Sequence, residues 1–244
     1  MDNMNLTEKQ RRTGFTSAFS LIEMLVVIGI IGIIAAMVAG LARPAAEQRK
    51  RKLVDAQKAK LIHAIENYKL KFGVYPPDNS SLYNASAVSA QVYDQAAQGN
   101  ALFYELTGVT YDPSDEGKAV MTFTDINANT FKSDALVTGT GHAILNAAPA
   151  GSTERKSVCF LNPVPKADAK AVELSLYTSP FAGTGYYGLV IPVELRTDPN
   201  TKAPYTLPNY WRYDASSDRR HNMDSYDLWA VFQVGNTIIT NGNW

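Results

Sequence analysis

The residues with the clearest capacity for chemistry are four aspartates that share a short polar stretch: Asp214, Asp218, Asp224 and Asp227. Calcium is bound by six to eight oxygen ligands, carboxylates among them, so this stretch is a candidate calcium site. Its spacing is not that of an EF-hand loop, and Arg219 and Arg220 lie where they would repel an ion. The alternative is a solvated turn braced by Asp–Arg pairs, and both interpretations stay open.

A second carboxylate, Glu23, begins an apolar run, because residues 24–42 contain no charged side chain. A carboxylate at membrane depth costs roughly 2.5–3.5 kcal/mol on insertion scales and usually has a functional partner. A cation beside it would offset that cost. The alternative is a glutamate that reaches back to the lipid headgroups.

The sequence offers little for catalysis. A glycine-rich phosphate loop, a G-x-S-x-G elbow and an H-E-x-x-H pair are all missing, so we predict that the chain is not an enzyme. The single cysteine, Cys159, excludes an internal disulfide, and we expect it to be a small core residue. The aromatic residues of the last forty positions are expected on the packed face of a sheet, with a ligand groove as the alternative.

These groups must be positioned by a long helix and a folded head. Residues 19–42 have about the twenty-residue apolar length that a helix needs to cross a membrane. Residues 43–72 continue as an amphipathic helix that Pro44 is expected to kink, and Val54, Leu61, Ile65, Tyr68 and Phe72 form its apolar face. Gly73 and the following prolines end the helix.

The N-terminal segment resembles a class III prepilin signal of the type IV pilin-like proteins. A basic leader ends in Ala18, and the motif F-S-L-I-E follows at residues 19–23 before the apolar run. The resemblance implies that a prepilin peptidase cuts between Ala18 and Phe19 and methylates the new amino terminus of Phe19. Residues 1–18 would then be a leader peptide. The glutamate of the family is the fifth mature residue, which is Glu23 here, and it is thought to meet the amine of a neighbouring subunit during filament assembly.

A second segment makes the major pseudopilin of type II secretion systems the most similar group. Residues 64–77, AIENYKLKFGVYPP, resemble its A-[IL]-x-x-Y-K-x-x-x-G-x-Y-P pattern, and S-Y-D-L-W at residues 225–229 with a closing N-W is also similar. The resemblance implies a pilin-like α+β fold, a long helix packed on a small antiparallel sheet. It also implies a C-terminal calcium loop of the kind considered above.

The secondary structure of the head, residues 73–244, is predicted from short runs of helix-capping and strand-forming residues. Residues 100–106 read as a helix capped by Asn100, and residues 119–124, 157–161 and 185–195 read as strands. Residues 210–213 and 226–232 are expected to pair as a hairpin, followed by a strand at residues 238–239. Residues 78–98 are expected to be loop with a helical turn, and a long loop is expected from about residue 133 to 154.

Charge is unevenly distributed along a chain whose formal net charge is zero. Residues 1–72 contain twelve Lys and Arg against six Asp and Glu, whereas residues 73–244 contain eleven against seventeen. An acidic head argues against a nucleic-acid partner. The basic residues after the apolar run favour a cytoplasmic C-terminus by the positive-inside rule, whereas the resemblance implies a periplasmic head, and the signal motif is the more specific observation.

The sequence therefore predicts a structural subunit. It would be a single-pass protein of the bacterial inner membrane that forms a periplasmic filament with copies of itself or with other pseudopilins on a secretion assembly platform. The alternatives are a type IV pilin for adhesion or DNA uptake, and a singly anchored periplasmic binding protein.

Overall fold

The computed structural model describes residues 20–78, 101–133, 144–161, 164–165, 177–180, 187–199, 201–205 and 208–244. The chain divides into two compact units, Met1–Ala46 and Glu47–Trp244. The cleavage residues Ala18 and Phe19 lie outside the described residues, as do residues 79–98 of the predicted loop segment.

One helix, α1, runs from Leu21 to Phe72 and contributes to both units. Its backbone remains helical through Pro44, although a proline inside a helix removes one hydrogen-bond donor. Gly73 ends the helix as predicted: its φ is +80°, and its N–H donates to the Lys69 carbonyl at 2.7 Å. A glycine is favoured at this position because other residues are strained at positive φ.

From Glu47 onward, α1 packs on the head through a buried stripe. Val54, Leu61, Ile65 and Tyr68 are fully buried, and Phe72 is partly buried, as the spacing predicts. They are spaced by three, four or seven residues and therefore lie on one face of the helix. The face belongs to the main apolar core of the head, so this half of α1 is part of the folded domain.

The described residues of the head form a second helix and ten short strands. The helix α2 spans Leu102–Thr107, and a 3-10 turn spans Pro113–Asp115. The strands are β1 Val109–Tyr111, β2 Thr122–Thr124, β3 Thr130–Lys132, β4 Ala147–Pro149, β5 Val164–Pro165, β6 Tyr177–Pro180, β7 Tyr187–Val190, β8 Arg212–Asp214, β9 Asp227–Val234 and β10 Thr237–Gly242.

These strands form three small sheets, in the orders β3-β2-β1-β4, β5-β6-β7 and β10-β9-β8. The pairs β1–β4 and β5–β6 are parallel, and the other pairs are antiparallel. The fold is therefore α+β with an N-terminal apolar helix, as expected, but its sheets are mixed and not purely antiparallel.

The C-terminal sheet follows the sequence pattern most closely. The predicted hairpin is β8 and β9, which pair Tyr213 with Leu228, and β10 extends the sheet over six residues. Alternate β9 side chains face opposite ways, as in any strand. Leu228, Ala230 and Phe232 belong to the main core, whereas Trp229 and Val231 belong to a smaller cluster.

Other strand predictions were only partly correct. Of the strand expected at residues 119–124 only β2 is present, and the strand expected at residues 185–195 ends at Val190 in β7. β4 lies within the loop expected at residues 133–154. Residues 134–143 and 185–186 of these predictions lie outside the described residues. Residues 157–161 are not a strand. The Asn146 side chain takes the place of a paired strand there, because it accepts from the Val158 N–H at 2.8 Å and donates to the Val158 carbonyl at 2.7 Å.

The turn after α2 brings two backbone segments into close contact. Gly108 has a φ of +76°, and its N–H donates to the Tyr104 carbonyl at 2.8 Å. A Cβ placed on Gly108 would lie 2.8 Å from the Cβ of Ser157, which is closer than such atoms approach. At the other end of α2 the N-cap is Ala101, which makes no side-chain cap bond; the predicted cap Asn100 lies outside the described residues.

Cys159 is exposed and not a core residue, so that expectation was wrong. Its Sγ donates to the Leu161 carbonyl at 3.1 Å. The neighbouring Leu161 is the residue that enters the core.

Candidate functional site

The first part of α1 presents an uncovered apolar surface. The segment Leu21–Val38 has a mean hydropathy of 2.8, and it is long and apolar enough to cross a membrane, as some signal sequences are. Every Leu, Ile, Val and Met side chain in it is at least 44% exposed. Exposed apolar surface of this extent marks a site of contact with lipid or with another protein.

Glu23 is the only charged side chain in this segment. It lies in the first turn of α1 and is exposed, and its Oε2 accepts from the Ser20 N–H at 3.0 Å. That bond satisfies one of the unpaired amides at the start of the helix. A carboxylate offers about four acceptor positions, so Glu23 keeps capacity for a further donor.

Two glycines leave room for close approach along the same segment. A Cβ placed on Gly29 or on Gly32 would meet nothing within 4 Å. Small residues at the surface of membrane helices allow a second helix to pack closely. The segment therefore combines a large apolar surface, one carboxylate and a shallow notch formed by Gly29 and Gly32, one helical turn apart.

The four predicted calcium ligands do not converge. Asp214 and Asp227 are buried, whereas Asp218 and Asp224 are exposed. Within the part of the chain that the structure describes, no group of three or more His, Cys, Asp or Glu residues is placed to hold a metal ion. The sequence pattern grouped these carboxylates because they are neighbours along the chain, but β8 and β9 direct the two buried ones inward.

Both buried carboxylates bind backbone amides of their own loop. Asp214 Oδ1 accepts from the N–H groups of Ser216 and Ser217, at 3.1 and 2.9 Å. Asp227 accepts from the N–H groups of His221 and Asn222, at 2.7 and 3.0 Å. Each carboxylate thus shapes one end of the loop.

One of the two arginines of this loop, Arg220, binds backbone carbonyls. Its Nε donates to the Ser217 carbonyl at 3.0 Å, Nη1 to the carbonyls of Ala215 and of Ser225, the latter at 2.9 Å, and Nη2 to the Met223 carbonyl at 3.3 Å. Arg220 forms no ion pair with a described residue. The expected Asp–Arg brace is therefore replaced, at this arginine, by a brace between guanidinium and carbonyls.

A buried carboxylate that sequence reasoning missed, Glu105, connects α1 to the head. It accepts from the Tyr68 hydroxyl at 2.7 Å, from the Leu145 N–H at 2.8 Å and from the Asn146 N–H at 3.0 Å. Burial raises the pKa of Glu105 above its usual range, and these three bonds oppose the rise. Burial and the Glu105 charge also raise the pKa of Tyr68, so its hydroxyl remains a donor.

A second missed carboxylate, Asp78, lies at the end of the proline segment after α1. The Ala215 N–H donates to its Oδ2, and the Ser216 hydroxyl donates to its Oδ1 at 2.7 Å. Burial raises the pKa of Asp78, the bonds from Ser216 and Ala215 lower it, and nearby Asp214 raises it further. Only its position after two prolines distinguishes Asp78 in the sequence, and nothing there indicates the contact with residue 215.

Most aromatic residues near the C-terminus belong to packed surfaces, although Tyr205 is only partly buried and Trp244 is 48% exposed. Tyr210, Trp211, Tyr213, Tyr226 and Trp229 are all buried. These five rings are therefore packed in the head, as expected from the sequence.

Comparison with protein-family models, with curated proteins and with solved structures found no match to this chain.

Proposed function

We propose that this chain is a structural subunit of the pseudopilin kind, which polymerises through its apolar N-terminal helix into a filament of a type II secretion-like system. The observation that supports the proposal best is a single carboxylate, Glu23, at the start of an apolar surface that no described residue of the chain covers. Prepilin peptidase would expose the amine of Phe19, which is four residues before Glu23.

The assembly step follows from the cost of isolated charge in an apolar environment. A carboxylate and an ammonium group that enter the hydrocarbon separately each carry a desolvation cost, which their pairing offsets. The carboxylate of one subunit would pair with the amine of its neighbour and so fix the register between adjacent helices. The notch at Gly29 and Gly32 would let the helices approach closely.

The head would remain outside the filament core, on the periplasmic side of the inner membrane. Its own core is complete around the second half of α1, so the head needs no partner to bury that face. Function would be mechanical: growth of the filament on its assembly platform would move secreted proteins outward. A surface pilus would use the same assembly chemistry, and long filaments outside the cell would distinguish it.

The decisive experiment separates the charge of Glu23 from its hydrogen bond. Glu23→Gln keeps a side-chain oxygen for the Ser20 N–H but removes the charge, and Glu47→Gln is the matched control on the same helix outside the apolar run. We expect Glu23→Gln to be processed normally but to lower filament assembly at least a hundredfold, because leaving one partner of a buried pair alone costs about 3–5 kcal/mol.

Processing is measured on the same samples by the mass of the mature amino terminus. The proposal requires removal of residues 1–18 and one added methyl group on Phe19. Normal assembly of Glu23→Gln after correct processing would refute the charge pair. A mature chain that stays monomeric in secreting cells would instead support a singly anchored periplasmic protein.

A further inference from the structure

The loop between β8 and β9 places four backbone carbonyls around one side chain, Arg220. The carbonyls of Ala215 and Ser217 come from its first arm, and those of Met223 and Ser225 from its second arm. All four accept from the Arg220 guanidinium, which uses four of its five N–H donors on them. The bonds to Ala215, Ser217 and Ser225 are partly buried, whereas the bond to Met223 is exposed. A carbonyl that is removed from water needs such a donor.

The negatively and positively charged side chains of this loop bind different backbone groups. The carboxylates of Asp214 and Asp227 accept from backbone N–H groups, while the guanidinium donates to backbone carbonyls. Asp214 also accepts from the Ser217 hydroxyl, and Asp227 Oδ2 lies 2.9 Å from the His221 ring nitrogen Nδ1. Carbonyl oxygens are equally the ligands of hard metal cations. The chain therefore provides a carbonyl-lined position for a cation, and one of its own side chains occupies it.

We propose that the β8–β9 loop is a cation-binding site whose ligand is the chain's own Arg220, so that the head folds without a bound metal ion. The class of ligand that the site takes is a planar guanidinium, which reaches carbonyls on both arms at once. A point-like ammonium cannot bind both arms through a rigid fork. The inference concerns the head alone and does not depend on filament formation.

The first test uses the wild-type full chain in detergent micelles. Its thermal unfolding is followed by tryptophan fluorescence with calcium chloride and with a chelator. We expect the same melting temperature in both conditions. A melting temperature several degrees higher in calcium would overturn the proposal, because a metal ion would then stabilise the loop.

The second test removes the side chain and replaces it from solution. Arg220→Ala is compared with Arg196→Ala, an exposed arginine outside the loop. We expect Arg220→Ala to melt roughly 5–10 °C lower, since several charge-assisted bonds are lost. Ethylguanidinium, which has the atoms that this substitution removes, should raise the melting temperature of Arg220→Ala, whereas ethylammonium at the same concentration should not.

Two results would overturn the inference: equal melting temperatures for Arg220→Ala and Arg196→Ala, or no recovery with ethylguanidinium. If Arg220→Ala does not fold, Arg220→Lys is measured by hydrogen exchange of the loop amides. Faster exchange in residues 215–225 than in β9 is then expected. Unchanged exchange would show that the fork-shaped cation is unnecessary.

Discussion

The bond between Tyr68 and Glu105 gives the sharpest test of how α1 is held to the head. Tyr68→Phe removes one hydroxyl and leaves Glu105 with its two backbone donors, Leu145 and Asn146. A hydrogen bond to a charged group contributes about 1.5–3 kcal/mol, so we expect a loss of about 2 kcal/mol. For a domain of this size that corresponds to a melting temperature about 4–8 °C lower.

The pH dependence of this loss distinguishes a charged partner from ordinary packing. Because burial raises the pKa of Glu105, its contribution to stability is full below the ordinary pKa of a glutamate and is lost as pH rises through the folded pKa. Tyr68→Phe removes a bond that lowers this pKa, so the folded pKa rises further. The variant should therefore lose more stability relative to wild type at about pH 8 than at about pH 5.

The assay is thermal and denaturant unfolding of the full chain in detergent at both pH values. Tyr187→Phe is the matched control, because the hydroxyl of Tyr187 has no partner among the described residues. Glu105→Gln completes a double-mutant cycle, in which Tyr68→Phe should cost about 1 kcal/mol less than in wild type, because the acceptor is neutral. A Tyr68→Phe loss below about 0.5 kcal/mol, or one equal at both pH values, would refute the reasoning.

Three further predictions concern other parts of the chain. Asp78→Asn keeps one oxygen for the Ala215 N–H, and its amide N–H can donate to the Ser216 hydroxyl oxygen or to Asp214. Because the variant also removes the repulsion between two carboxylates, it should stabilise the head by about 0.5–1.5 kcal/mol at neutral pH, and the gain should vanish in acid; a denaturant series at both pH values measures it. The exposed Cys159 should react in whole cells with a membrane-impermeant maleimide once the outer membrane is permeabilised, with Cys159→Ser as the blank. If Cys159 reacts only after the inner membrane is lysed, the head lies in the cytoplasm. Gly29→Leu should leave processing and head unfolding unchanged but lower subunit cross-linking several-fold, whereas undiminished cross-linking would exclude close helix packing at this notch.

The parts of the fold that local pattern determines were predictable from the sequence. The apolar stripe of α1, the cap at Gly73 and the pairing of β8 with β9 each depend on periodicity or on a single special residue, and each was confirmed. The parallel pairing of β1 with β4 was missed. It joins strands that are only three residues long and far apart in sequence, so neither strand has a recognisable period.

In the candidate site, too, local features were predictable from the sequence and long-range contacts were not. The exposed apolar segment and Glu23 could be found from composition alone, because residues 24–42 combine the absence of charge with a nearly continuous run of apolar side chains. The contacts of Glu105 and Asp78 could not be found, since their partners are 37 to 138 residues away. The arrangement around Arg220 was missed for another reason: its acceptors are backbone carbonyls, which leave no mark in a sequence.

The contact between Gly108 and Ser157 limits how this protein can diverge during evolution. Two independent conditions fix the glycine, a backbone torsion that other residues rarely adopt and a neighbour that leaves no space for a methyl group. A larger residue at position 157 would meet the same backbone. Homologues that keep this crossing should therefore retain both small residues, even where the rest of the head has changed beyond recognition.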